Sequence, residues 1–106
     1  MPAYAIGRIE AKSWEWLQAY ADPVAALIRK HGGRYLTRGP AADRLEGDGE
    51  LPDAIVVLEF PNVAQARAWY DDPEYARWIE HRRPHTRVDF LIVDGLTPEQ
   101  QAALNN

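Results

Sequence analysis

The sequence predicts an α+β fold in which two β-α-β halves share one antiparallel sheet. Segments rich in β-branched and aromatic residues alternate with segments whose apolar residues recur at steps of three and four, in the order β-α-β-(β)-β-α-β. Proline and glycine clusters separate these segments and set their limits. With 106 residues and neither a linker nor an internal repeat, the chain is expected to form one domain over 1–106 around one core.

Tyr4 to Glu10 reads as the first strand. Ser13 is the expected N-cap of the first helix, with Glu15 in its first turn. Trp14, Leu17, Ala21, Val24, Ile28 and His31 then lie on one face, and Gly32-Gly33 ends the helix. Asp22-Pro23 falls inside it, where a proline without an N–H predicts a kink or a restart. Arg34 to Arg38 is a short strand stopped by Gly39-Pro40, and Asp43 to Gly47 a second extended piece. Ala54 to Phe60 is the clearest strand. Asn62 and Gln65 form a capping-box signature for the helix carrying Val63, Ala66, Trp69 and Tyr70. Asp72 caps and Pro73 opens a further helix, whose Tyr75, Trp78, Ile79 and Arg82 share a face until Pro84. Thr86 to Val93 is the last long strand, and Thr97 caps a terminal turn over Pro98 to Leu104.

This order describes a ferredoxin-like split βαβ sheet with its helices on one face. The strands are nevertheless apolar on both sides: Ile55 and Val57 oppose Val56 and Leu58, and Val88, Phe90 and Ile92 oppose Leu91 and Val93. A second copy of the chain is the simplest cover for the other face, since two-fold dimers are the commonest homo-oligomers. A homodimer is expected.

Composition narrows the function. Twelve Lys and Arg against sixteen Asp and Glu give a formal charge of −4, which argues against nucleic acid as a partner. Zero cysteines remove disulfides, thiolate metal sites and a cysteine nucleophile. The start Met1-Pro2-Ala3-Tyr4 reaches Arg8 and Glu10 too soon for a signal peptide, and no apolar run is long enough to span a bilayer. A soluble, cytoplasmic protein with no membrane partner is expected.

The motifs are few. His81 and His85 have the i, i+4 spacing of a helical zinc pair, but Pro84 breaks the helix between them and Arg82-Arg83 would repel a cation, so no metal is expected. Ser13, the one serine, reads as a cap rather than a nucleophile. Gly32-Gly33 follows a helix and precedes a strand, the reverse of a phosphate cradle. What remains is a polar set able to converge on one cleft. Arg38 ends the second strand, Glu46 follows a short loop, and Tyr75 and Arg82 lie two turns apart on one helix face with Trp69 upstream.

Several of these residues lie in stretches that resemble a known family: His31-Gly32-Gly33-Arg34-Tyr35-Leu36-x-Arg38-Gly39, Leu45-Glu46-Gly47, Glu59-Phe60-Pro61, Ala68-Trp69-Tyr70-x-x-Pro73-Glu74-Tyr75, and Arg82. From about Tyr4 to Gly95 the chain is similar to the family catalogued as domain of unknown function 1330. The resemblance implies a dimeric α/β barrel, with two ferredoxin-like sheets face to face and a cleft between helices and sheet in each protomer. Superfamilies of this fold include cofactor-free monooxygenases, small isomerases, dehydratases and haem-handling enzymes; the family brings no established reaction. The chain departs from it at Asp72, where the family usually has a small residue such as Ser, and either residue caps a helix.

Two function classes fit these residues. The first is a cofactor-independent enzyme acting on a small organic acid or enolisable compound. Arg38, Arg82, Trp69 and Tyr75 would bind the substrate, and Glu46 or His31 would move a proton. The second is a non-catalytic dimeric module that binds a metabolite or partner, in which Arg38–Glu46 is a hairpin ion pair and Trp69 and Tyr75 are core. An open cleft favours the first; a cleft filled by Trp69, Tyr75 and Leu17 favours the second.

Overall fold

Strand β1 (Ala3–Ala11) leads into α1 (Leu17–Lys30), β2 (Arg34–Thr37) and β3 (Ala54–Phe60) in a computed structural model that describes residues 1–40 and 42–105. Then come α2 (Val63–Tyr70), α3 (Pro73–Arg82), a single 3-10 turn (Arg83–His85), β4 (Thr86–Asp94) and α4 (Pro98–Asn105). The four strands form an antiparallel sheet in the order β2-β3-β1-β4. The two strands central in space, β1 and β3, come from different halves of the sequence, which is the split βαβ arrangement.

Alternation along the strands decides which face meets the helices. Ala5, Gly7 and Ile9 of β1 are paired with Leu58, Val56 and Ala54 of β3 and with Ile92, Phe90 and Val88 of β4. Over this face lie Val24, Leu27 and Ile28 of α1, Ala66 and Trp69 of α2, and Tyr75 of α3, which complete the core with Phe60. Small residues on β1 are what let the large ones approach. A Cβ on Gly7 would stand 2.9 Å from the Phe90 ring. The opposite face carries Ile6, Val57 and Leu91 in one row across three strands, with Leu91 65% exposed.

Local signals hold at most element ends. Asn62 Oδ1 accepts from the Gln65 N–H at 2.8 Å, and Asp72 Oδ1 from the Glu74 N–H at 2.9 Å. Thr97 and Gln100 cap each other reciprocally at 2.9 Å in both directions. At the end of α1, Gly32 takes a φ of 79°; its N–H donates to the Arg29 carbonyl, and that of Gly33 to the Ile28 carbonyl. This is the paired-bond glycine stop that the Gly32-Gly33 doublet encodes.

Three expectations are corrected. Ser13 caps nothing: α1 begins at Leu17 with no side-chain cap, and the Ser13 hydroxyl shares a 2.9 Å hydrogen bond with His85 Nδ1. Of the two outcomes expected at Pro23, a kink or a restart, the restart does not occur: α1 runs as one helix from Leu17 to Lys30, since burial of Val24, Leu27 and Ile28 outweighs one lost backbone bond. The buried face is rotated accordingly, with Trp16 in and Trp14 and Leu17 about two-fifths exposed. Finally, Asp43–Gly47 is not a strand. Among the described residues of 42–53 the chain turns at Gly47 and Gly49, both with φ near 96°, and Arg44 bonds the Gly49 carbonyl. No helix is long and apolar enough to cross a membrane among the described residues.

Candidate active site

Between α1 and the helix-facing side of the sheet lies a cavity of about 440 Å³. It exists because the sheet offers small or slim side chains there (Ile9, Ala54, Val56, Val88), while α1 spans it with Tyr20, Ala21 and Val24. The volume lies within the range of about 300–1,000 Å³ used for small organic ligands. Its walls are largely apolar, with six aromatic rings among the aliphatic side chains: Trp14, Trp16, Tyr20, Tyr35, Trp69 and Phe90. The polar side chains among them are Arg82, Arg38, Tyr20 and Tyr35, together with the indoles.

Arg82 is the central feature. It sits in the last turn of α3, is 6% exposed, and forms no ion pair with any carboxylate among the described residues. It stands beside two phenols whose hydroxyls meet at 2.6 Å, Tyr20 of α1 and Tyr75 of α3. Burial pushes the Tyr20 hydroxyl well above its ordinary pKa, with the neighbouring Tyr75 adding to the rise and Arg82 opposing it. Burial likewise raises Tyr75 against the pull of Arg82. For Arg82, burial is the largest influence and works against the charge; the two phenols push the group up through charges they carry only where they themselves ionise, well above neutral pH. All three groups therefore keep their protons at neutral pH; one phenol proton lies between the two hydroxyl oxygens, and Arg82 and the other hydroxyl remain to donate.

Tyr75 is fully buried and stacks on Trp69 with ring centroids 4.5 Å apart. Trp69 forms cavity wall, and its indole N–H is buried without an acceptor; Tyr70 and Phe90 meet the ring edge-on at 5.8 and 5.7 Å. At the exposed side, the Arg38 guanidinium lies 5.2 Å from the centre of the Tyr35 ring. The Tyr35 phenol is also raised, chiefly by burial.

The structure thus brings Arg38, Trp69 and Arg82 to one cavity, with Tyr75 directly behind Arg82. It does not bring His31 or Glu46 there. His31, at the end of α1, gives Nε2 to Asp72 Oδ2 at 2.8 Å outside the cavity. Glu46 is exposed on the 42–53 segment and forms no ion pair with Arg38 among the described residues. Nor do Trp69, Tyr75 and Leu17 fill the cleft. Tyr20 and Tyr35 join the site without being among the residues the sequence pointed to. The i, i+4 spacing of Trp16, Tyr20 and Val24 is the sequence signal for Tyr20; it joins the expected face at Val24, while Trp16 and Tyr20 each lie one position before Leu17 and Ala21.

The model of the family described as domain of unknown function DUF1330 matches residues 2–96, which include the cavity walls. None of the curated proteins compared matches the chain. Among solved structures, a protein of unknown function from Rhodopseudomonas palustris is similar with a TM-score of 0.75 at 20% identity, covering 92% of this chain and 84% of that one. A dimeric ferredoxin-like protein of unknown function from Jannaschia sp. CCS1 has a TM-score of 0.66 at 15% identity, over 90% and 100% of the two chains. SnoaB, a cofactor-independent oxygenase from Streptomyces nogalater, has a TM-score of 0.60 at 10% identity, over 91% and 94%. At these identities the likeness is one of fold.

Proposed function

Since the chain belongs to the DUF1330 family of domains of unknown function, and this family brings no reaction with it, we propose a function from the cavity itself: a homodimeric, cofactor-independent enzyme that holds a small enolisable or phenolic organic acid and stabilises its oxyanion. The observation that carries this reading is Arg82, a buried guanidinium without a carboxylate, aimed at a cavity and flanked by two protonated phenols. A buried charge left unpaired costs several kcal/mol, on the order of the desolvation penalty for one ion. An anionic ligand oxygen at this point removes that cost. Donors fixed in place before the charge develops also stabilise an enolate more than its parent carbonyl, which is how such a set lowers a barrier.

In this reading Arg82 and the Tyr20 hydroxyl receive the oxyanion, Tyr75 holds that hydroxyl in place from behind through their 2.6 Å hydrogen bond, Trp69 supplies a flat wall, and Arg38 draws the anion to the mouth. His31 and Glu46 stand outside the cavity, so the chemistry rests on the donors. The fold shared with a cofactor-independent oxygenase supports a reaction run without a cofactor in such a cleft. One observation favours the second reading, a non-catalytic binding module: among the described residues, no carboxylate or imidazole lines the cavity to take a proton from carbon.

Titration of a set of carboxylic acids, phenols and 1,3-diketones, followed by the quenching of the wall tryptophans, tests the proposal. Wild-type protein binds members of the set, and Arg82→Met weakens them by about tenfold or more, the loss of one charged hydrogen bond. Arg38→Ala weakens them less, as its guanidinium is exposed. Affinities that ignore both arginines sink the site. Turnover of a bound compound separates the enzyme from the module.

A further inference from the structure

We infer that the cavity selects the ionised form of a planar weak acid, a one- or two-ring phenol, enol or hydroxyquinone, and makes that acid stronger as it binds. The inference rests on the cavity reading above and adds the chemical class of the ligand and the state in which it is held.

The first support is the charge of the wall. Among the described lining residues, the side chains that carry charge at neutral pH are Arg82 and Arg38, both positive. Tyr20 faces Arg82 from α1 and Tyr75 from α3; Tyr35 of β2 and Arg38 line the same cavity, and Tyr70 at the end of α2 reaches Tyr75. The strands β1, β3 and β4 contribute Ile9, Ala54, Val56, Leu58, Val88 and Phe90, none of which titrates.

The second support is the hydrogen-bond roles. A neutral hydroxyl entering the site needs an acceptor for its own proton. The phenol pair at the inner end, whose hydroxyls meet at 2.6 Å, offers only oxygens that lie beside the Arg82 cation and accept weakly, and it keeps one proton free to donate. An ionised oxygen needs donors instead, and the guanidinium supplies several. On binding, the ligand O–H bond breaks, its proton leaves to solvent through the mouth, and the oxygen's electron pair accepts from Arg82 and a tyrosine hydroxyl. No protein group takes up the proton, and no further reactant is consumed.

The third support is shape. Six aromatic rings around about 440 Å³ suit a flat π-system. A charge spread over such a system costs less to strip of water than the localised charge of a carboxylate, which favours enolates and phenolates in an apolar enclosure.

The probes are 4-nitrophenol, whose anion has its own visible band, and 4-nitroanisole, its methyl ether, which has no proton to lose. The full chain is held in excess and the anion band is followed as pH is lowered. Bound nitrophenol should ionise at least about one pH unit below the free compound, a tenfold preference for the anion. Tyr20→Phe should reduce the shift and Arg82→Met abolish it, while both variants still bind nitroanisole, which shows the cavity intact. Nitrophenol bound with an unchanged or raised pKa overturns this inference and leaves the cavity reading standing. If neither compound binds wild type, both fall. A full shift retained in Arg82→Met that still binds nitroanisole also overturns it.

Discussion

The two carboxylate oxygens of Asp72 hold three donors from two helices. Oδ1 accepts from the Glu74 N–H and caps α3; Oδ2 accepts from His31 Nε2 at 2.8 Å and Lys30 Nζ at 3.1 Å, both at the end of α1. The His31 hydrogen bond first, then that of Glu74 and of Lys30, hold its carboxyl well below its ordinary pKa of 3.8. A carboxyl lowered on folding stabilises fully above the unfolded pKa, and the contribution disappears as pH falls through the folded one. Asp72→Asn, which keeps a good cap and removes the charge, should therefore melt below wild type at neutral pH. The gap should narrow from about pH 4 downward, as Asp72 takes up its proton. Thermal melts over a pH series check this, and a gap that widens in acid contradicts it. Gly33 illustrates a different constraint. A Cβ there would stand 2.4 Å from the Phe60 ring, so Gly33→Ala should cost about 1–3 kcal/mol through overpacking. Denaturant unfolding reads this directly, and an unchanged midpoint would show that Phe60 yields freely.

Among the elements, α1 carries the sharpest conflict between local preference and tertiary demand. Pro23 lies at its seventh position and removes the i+4 donor that the Ala19 carbonyl would otherwise meet; Ala19 is exposed, so water can reach that oxygen. An interior proline costs a helix about 3 kcal/mol, against about 1 kcal/mol returned by its stiffening of the unfolded chain. Pro23→Ala should thus stabilise the protein by about 1–2 kcal/mol, read as a higher urea midpoint; a lower one would mean that the ring packs more usefully than it breaks. The same contrast explains how much could be read in advance. Asn62, Asp72, Thr97 and the Gly32-Gly33 stop were legible because cap and partner lie within five residues. The partner of Ser13 is His85, 72 positions away, and its hydroxyl therefore passed for a cap. The polar face of the cavity was half legible. Arg82 and Tyr75 share a helical face, whereas their companion Tyr20 comes from the other half of the chain. Glu46 and Arg38 are neighbours only if a hairpin joins the segments that carry them. The turns at Gly47 and Gly49 instead keep Glu46 exposed.

The whole molecule is thin. Its Cα envelope measures 47 × 36 × 17 Å, and its radius of gyration of 15.1 Å exceeds the roughly 13 Å of a compact chain of about a hundred residues. Seventeen ångströms accommodate one sheet and one helical layer, with packed layers about 10 Å apart. The uncovered side is not a surface built for water. Ile6, Val57 and Leu91 run across it in register, flanked by Tyr4 and Val93 on one side and Ile55 on the other. Leu91 is 65% and Val93 49% exposed. The charges beside them are arranged in opposite-sign neighbours, Arg8 opposite Asp89, Glu10 opposite Arg87, and Arg34 bonded to Glu59 at 3.0 Å. Such a face suits an identical one turned through a two-fold axis, because an apolar row meets itself and paired charges remain neutral at the rim. Wild-type protein at micromolar concentration should sediment as a dimer. Leu91→Arg places a charge from each protomer into the centre of the contact, and should yield a folded monomer with an unaltered far-ultraviolet spectrum. If the wild type sediments as a single chain, or the variant remains dimeric, the two sheets do not meet through this face.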